Sequence, residues 1–252
     1  MLKITEYLIE WTRNYFNDNN IQYAVIGLSG GKDSTVSATI LKEALGPSRV
    51  IGVQMPNGIQ KDINDSTRLM DFLELPQENR YLVNVNEAYN ALLKATFYDT
   101  TNLNSVITTN LPARLRMCTL YNIAAYLGNA RVVCNANASE VYVGYATKWG
   151  DVGDLGLLVN LTVSEILKIG DDLKIPYELV HKAPSDGMSG KTDEDNLGFT
   201  YKELDSLILK TGEPIKEESL EKINRRYKTN LHKHSKMPSP EFSEELKSEL
   251  RE

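Results

Sequence analysis

Tyr23-Ala24-Val25-Ile26-Gly27-Leu28 runs straight into Ser29-Gly30-Gly31-Lys32-Asp33-Ser34, and the class of fold follows from this join. The first half is continuously apolar with β-branched residues, as expected of a strand buried on both faces of a parallel sheet. The second half is a tight glycine turn. Beyond it Val36, Ile40, Leu41, Ala44 and Leu45 recur at helical spacing until Gly46-Pro47 breaks the pattern. Strand, glycine turn and helix in that order turn successive backbone N–H groups and a helix N-terminus toward an anion.

The alternation continues outward. Residues 2–17 have the spacing of an amphipathic first helix, stopped by Asn17-Asp18-Asn19-Asn20. Strands are expected at 49–55, 81–85 and 131–134, and helices at 65–73 and 87–96. Pro112 suits the first turn of a helix carrying Leu115, Leu120, Ile123, Ala124 and Leu127, and Thr162-Val163-Ser164-Glu165 is a capping-box pattern that opens another. Residues 182–199, rich in Gly, Ser, Asp and Pro, read as a long loop of the kind that is either functional or disordered. The sum is an α/β fold, a doubly wound parallel sheet flanked by helices, in one domain over 1–252 with 239–252 as a peripheral charged tail.

Composition narrows the function. The formal net charge of −6 sets the overall field against a polyanion, so no nucleic-acid partner is expected. Cys118 and Cys134 are too few and too far apart for a disulfide framework, and the start of the chain lacks the apolar core of a signal peptide. A cytoplasmic protein with reduced thiols is expected. No apolar run approaches the roughly 20 residues that cross a bilayer.

In the glycine turn, Lys32 is followed by Asp33, not by Ser or Thr, so this is not a Walker A loop. A carboxylate beside phosphates repels them unless a cation lies between, which makes Asp33 a candidate Mg²⁺ ligand. A bare Gly-Gly pair would be read as an ordinary capped turn. The whole string after a buried strand resembles the pyrophosphate loop of the N-type ATP pyrophosphatases, which cleave ATP between its α- and β-phosphates.

Further blocks resemble the NAD synthetase family, in that family's order: Met55-Pro56-Asn57-Gly58-Ile59-Gln60-Lys61-Asp62, Ala113-Arg114-Leu115-Arg116-Met117, Asn135-Ala136-Asn137-Ala138-Ser139-Glu140, Gly144-Tyr145-Ala146-Thr147-Lys148-Trp149-Gly150-Asp151, Lys182-Ala183-Pro184-Ser185, the stretch 190–201, and His232-Lys233. The resemblance spans residues 5–238. It implies an adenine nucleotide alpha hydrolase-like, Rossmann-like fold and the amidation of nicotinate adenine dinucleotide by ammonia, with ATP as co-substrate and Mg²⁺ as cofactor. ATP would be held by Gly27, Leu28, Ser29, Gly30, Gly31, Lys32, Asp33, Ser34, Asn135 and Ser185, and the metal by Asp33 and Glu140. Arg114, Lys148, Asp154, His232 and Lys233 would hold the dinucleotide. A homodimer is implied as well.

The same residues also have plainer readings. Arg114 and Arg116 lie two apart on an expected helix and diverge, so only one faces a given ligand; Arg116 is expected on a solvated face. Lys148, Asp154 and His232-Lys233 would otherwise be surface charges, and Tyr142, Tyr145 and Trp149 core aromatics. Two positions depart from the family. Asn135 stands where many members carry threonine, a mild change because both make hydrogen bonds. Val163 stands where many carry a lysine, so charge neutralisation falls to Lys32, Lys191 or backbone groups, and no ATP contact is assigned to Val163. The competing functions are another ligase or thiolase of the superfamily, for which the cysteines and basic face are missing, and a nucleotide sensor without turnover. Free ammonia is the expected donor, since the chain has no room for an amidase domain, and a separate glutaminase subunit is the alternative source.

Overall fold

The structure, a computed structural model, describes residues 1–59, 63–97, 99–181, 192–233, 235–248 and 250–251. Five parallel strands, β1 (Tyr23–Gly27), β2 (Val50–Gln54), β3 (Arg80–Leu82), β4 (Ala130–Cys134) and β5 (Leu155–Gly156), lie in the order β3-β2-β1-β4-β5. The expected doubly wound parallel sheet is the one found. Its direction of winding reverses between β1 and β4, which opens a crevice at their carboxyl ends.

The helices are α1 (Lys3–Asp18), α2 (Lys32–Leu45), α3 (Ile63–Phe72), α4 (Asn86–Thr96), α5 (Ser105–Leu127), α6 (Ala138–Val143), α7 (Val163–Asp172), α8 (Tyr177–Val180), α9 (Asp193–Leu197), α10 (Tyr201–Leu209), α11 (Glu217–Asn230) and α12 (Glu244–Ser248). Alternation along the strands sorts them. Ala24 and Ile26 of β1 and Val50 of β2 pack with α1, α2, α3, α7 and α8. Val25, Ile51 and Val53 point the other way, against Met117, Leu120, Ile123 and Ala124 of α5. Phe16, Ile26, Ile40, Leu41, Leu69 and Ile166 are fully buried; each such side chain contributes roughly 1.5–3 kcal/mol relative to exposure.

A smaller apolar cluster joins Val143, Val163, Leu197, Phe199, Tyr201, Leu204 and Ile223. It binds α6, α7, α9, α10 and α11 into a layer over the crevice. Beneath it lies a polar pin: the buried Asp205 carboxylate accepts from Ser139 Oγ at 2.6 Å and from the Ser164 N–H at 2.7 Å, and Ser139 Oγ accepts the Val163 N–H at 3.1 Å. One carboxylate of α10 thus fixes the starts of α6 and α7.

Several local expectations change. Pro112 is inside α5, which begins at Ser105 under the Asn104 side chain (Ile107 N–H to Oδ1, 3.0 Å). Proline forfeits a single ladder bond there, a loss the packing of α5 on two strands outweighs. The loop expected over 182–199 contains α9, started by a capping box between Thr192 and Asp195; residues 182–191 lie outside those described. The capping pattern at 162–165 is realised, with Glu165 Oε2 accepting the Thr162 N–H at 2.8 Å. In α12 no residue is buried.

Replacing Asp205 by Ala leaves the Ser164 N–H and the Ser139 hydroxyl without their acceptor, so a loss of about 2–4 kcal/mol is expected. Urea denaturation of the two proteins measures it.

Candidate active site

The glycine turn ends β1 and starts α2. Gly31 caps α2 with extended backbone and no side-chain hydrogen bond, which leaves the first N–H groups of the helix open to an anion. The neighbouring α6, α9 and α10 all have capping boxes. Ser29 Oγ accepts the Gly31 N–H at 3.2 Å and lies 3.1 Å from Ser34 Oγ, and Ser34 Oγ donates to the Gly31 carbonyl at 3.0 Å. Gly30 has φ +78°, and a Cβ on it would lie 2.8 Å from the Ser66 nitrogen of α3. Both the conformation and the approach of α3 therefore require glycine.

Across the crevice, β4 delivers Asn135 and Asn137. Asn135 Nδ2 donates to the Gly27 carbonyl at 2.8 Å, while its Oδ1 is buried without a hydrogen-bond partner among the described residues. Asn137, fully buried, does two jobs. Its Oδ1 caps α6 by accepting the Glu140 N–H at 2.9 Å, and its Nδ2 donates to Asp33 Oδ1 at 3.0 Å. One amide thereby brings the carboxylates of Asp33 and Glu140, far apart in sequence, to the same place.

The other oxygen of Asp33 accepts from Lys32 Nζ at 2.9 Å, and the ammonium lies over the Tyr201 ring, 5.2 Å from its centre. Tyr201 and Tyr145 hydroxyls donate to the two oxygens of Asp193, at 3.4 and 3.2 Å. Burial alone would depress the Lys32 ammonium, but the Asp33, Glu140 and Asp193 charges outweigh it and hold its pKa above the usual lysine value. Burial, then the charge of Asp33, pushes Glu140 up to about 8, against the pull of Lys32. Burial followed by the same carboxylates also raises the Tyr201 phenol. Among the described residues no group of three or more His, Cys, Asp or Glu side chains has the arrangement of a metal cage. A pair of carboxylates is what Mg²⁺ needs when phosphates and water supply its other ligands.

The residues expected on the dinucleotide form a second group. Arg114 Nε donates to the Lys148 carbonyl at 3.2 Å, Lys148 Nζ to the His232 carbonyl at 2.9 Å, and Lys233 Nζ to the Gly144 carbonyl at 2.9 Å. Residues from three distant parts of the chain are brought together, with Arg114 also lining an apolar depression of about 250 Å³ that includes Phe97, Val106 and Leu111. Asp154 is engaged by the scaffold: it accepts the Val132 N–H at 2.8 Å and the Tyr121 hydroxyl at 3.3 Å.

Three expectations are corrected. Arg116 does not sit on a solvated face: its Nε donates to the Met55 carbonyl at 2.9 Å, and burial lowers its pKa against the attraction of Asp151. Trp149 is exposed, at φ +68°, with Lys148 Nζ 5.4 Å above its ring, so it is not a core residue. Tyr145 is joined to the acidic cluster through Asp193. Val163 is 6% exposed and packs as a core residue, which accounts physically for an uncharged side chain there. Ser185 and Lys191 lie outside the described residues. Asn137, Asp193 and Tyr201 were not picked out from the sequence; the capping spacing of Asn137 to Glu140 was the one available signal.

An open parallel sheet whose winding reverses beside an uncapped helix N-terminus defines a Rossmann-like α/β protein with its site at the switch point. The sequence matches the NAD synthase family over residues 4–238. The chain belongs to that family. The NH3-dependent NAD(+) synthetase of Carboxydothermus hydrogenoformans is 38% identical to it over 91% of this chain and 93% of the relative. Among solved structures, NMN synthetase from Francisella tularensis has a TM-score of 0.85 at 34% identity, with 95% of this chain and 98% of that one covered. NH3-dependent NAD synthetase from Campylobacter jejuni, in complex with the nitrate ion, has a TM-score of 0.77 at 27% identity over the same shares.

Since the fold keeps Glu140 protonated between its ordinary pKa of 4.5 and about 8, the folded state binds more protons than the unfolded one in that window. Stability is therefore expected to fall as pH rises through it. Chelator-treated wild type should show this slope in urea denaturation from pH 5 to 8, and Glu140→Gln should flatten it. Gly30→Ala, by contrast, is expected to cost about 1–3 kcal/mol at any pH, and thermal melting with and without ATP would show loss of the stabilisation by nucleotide.

Proposed function

We propose that this protein amidates the carboxylate of nicotinate adenine dinucleotide with ammonia, consuming ATP and releasing AMP and pyrophosphate; its relatives' name, NH3-dependent NAD(+) synthetase, supports the ammonia and the product. The observation that carries this reading is the meeting, at one crevice, of the open N-terminus of α2 with the Asp33 and Glu140 carboxylates held by Asn137.

In this reading the loop 27–34 receives the phosphates of ATP. Backbone N–H groups at the start of α2 face the charge that builds on the departing pyrophosphate, and the fixed turn spares them reorganisation as it develops. Asn135 contributes a side-chain carbonyl oxygen that has no donor among the described residues, and Ser185 would complete the nucleotide contacts. Asp33 and Glu140 would hold Mg²⁺, which supplies charge neutralisation between the phosphates when bound. The fit rests on the donor set: burial, and then the charge of Asp33, raise the pKa of Glu140 to about 8, and a divalent cation bound to both carboxylates would relieve that cost.

Arg114, Lys148, His232 and Lys233 would bind the dinucleotide, and Asp154 would fix that wall of the site through β4 and Tyr121. The nicotinate carboxylate then attacks the α-phosphorus, pyrophosphate leaves, and ammonia displaces AMP from the resulting acyl-adenylate. Alignment and charge neutralisation suffice for this sequence of steps, with no side-chain nucleophile. A homodimer is part of the proposal, supported by the exposed Val106, Tyr121 and Tyr126 along α5, as is a cytoplasmic location, where NAD precursors and ATP meet.

A second reading changes the size of the substrate. The Francisella tularensis structure, named as an NMN synthetase, has the higher TM-score of the two described, and supports nicotinate mononucleotide as the molecule amidated. The chemistry at the carboxylate is the same.

Purified protein with ATP, Mg²⁺ and ammonium should form AMP and an amidated product when given nicotinate adenine dinucleotide, separated by liquid chromatography. A strong preference for the mononucleotide would favour the second reading, and no AMP with either would end both. Asp33→Asn is expected to lower turnover at least about 100-fold while leaving the melting temperature near that of wild type; retained activity would remove Asp33 from the metal site.

A further inference from the structure

Lys32 is an unusual lysine. It is the first residue of α2, where the partial positive charge of the helix end disfavours a cation, and it is only 5% exposed. A buried ammonium at a helix N-terminus needs compensation, and its surroundings supply it. Asp33 Oδ2 is 2.9 Å from Nζ, the Tyr201 ring lies beneath, and Glu140 and Asp193 act on it electrostatically. The ammonium thus stands against Asp33, one of the two carboxylates at which the preceding reading places a divalent cation.

The same side chain borders a cavity of about 520 Å³ that also has Val163, Ser164, Lys168 and Tyr201 on its walls. Val163 is apolar there, so Lys32 is the cation that enters this cavity from the phosphate loop itself. Two cations cannot share the Asp33 and Glu140 carboxylates at close range without strong repulsion. Arrival of one displaces the other, and a four-carbon stem lets Nζ swing without moving the helix.

We propose that the Lys32 ammonium is a tethered counter-ion of Asp33 and Glu140, occupying the place of the divalent cation in the nucleotide-free protein and passing to the phosphates of ATP beside Val163 when that cation enters. The inference rests on the ATP reading for its second half only. It gives the lysine two successive partners: the carboxylates hold it while the site is empty, and the polyphosphate takes it when the site is filled. The charge of Asp33 is thereby matched while the site is empty, and the lysine is stored beside the position where it is used.

The test is Lys32→Met, with Lys32→Arg as the charge-retaining control. Binding of Mn²⁺ to the nucleotide-free protein, followed by the electron paramagnetic resonance of the free ion, should tighten about ten-fold in Lys32→Met and stay near wild type in Lys32→Arg. Equal or weaker Mn²⁺ binding in Lys32→Met would overturn the counter-ion role. Calorimetric titration with the α,β-methylene analogue of ATP in the presence of Mg²⁺ should show affinity about ten-fold weaker in Lys32→Met; unchanged affinity would overturn the transfer to phosphate. If the uncompensated carboxylates lower the melting temperature of Lys32→Met, Mn²⁺ should raise it by more than it raises that of wild type, and a smaller rise would count against the proposal. Tighter Mn²⁺ binding in Lys32→Met together with no AMP from the wild type would leave the counter-ion role standing and sink the ligase reading alone.

Discussion

The architecture depends on one hydrogen bond across the crevice, from Asn137 Nδ2 to Asp33 Oδ1. It joins the turn after β1 to the helix after β4, the two strands between which the sheet reverses. An amide suits this position because it presents a donor and an acceptor at once: the donor meets Asp33 and the acceptor starts α6, which carries Glu140. A carboxylate in place of Asn137 would repel Asp33, and an aliphatic residue would leave α6 uncapped. The spacing of the two acidic side chains is therefore set by a neutral residue that itself remains fully buried.

Around that bond the electrostatics are concentrated and mutually dependent. Lys32 and Asp193 are buried, Asp33 and Glu140 partly so, and the tyrosines 145 and 201 give Asp193 its donors. Such a cluster is costly unless each charge is matched. The apolar layer of α6, α7, α9, α10 and α11 contributes Tyr201 to its wall, and partial burial strengthens the attractions and repulsions inside. Val163 belongs to that layer. Its side chain is apolar, and the glycine turn brings the Lys32 ammonium to the same cavity.

Much of this was legible in the sequence because the governing patterns are local. The buried strand 23–27, the turn and the helix after it announce themselves by apolar continuity, glycine and helical period, and the parallel sheet follows from their repetition. What was not legible depends on contacts between distant residues. Arg116 looks like any surface arginine until the fold brings the Met55 carbonyl beneath it. Asp193 and Tyr201 fall in or beside a stretch whose composition suggests a loop, and only the three-dimensional proximity of Tyr145 reveals them as part of the acidic centre. Pro112 misleads in the opposite way, since a residue that favours helix starts is tolerated inside a helix packed on two strands. The clustering of Arg114, Lys148, His232 and Lys233 was expected from family resemblance; periodicity alone gave each of them the reading of a surface charge.

The strand order also has a consequence for how the molecule is made. β1 pairs with β2 soon after both have been synthesised, but Val25 pairs with Val132, a closure over about a hundred residues whose entropic cost delays it relative to neighbouring contacts. The polar links from Asn135 to Gly27 and from Asn137 to Asp33 span that same junction. On a nascent chain the phosphate turn can exist well before its counterpart emerges, so competence to bind is gained late and all together, as a property of the completed sheet.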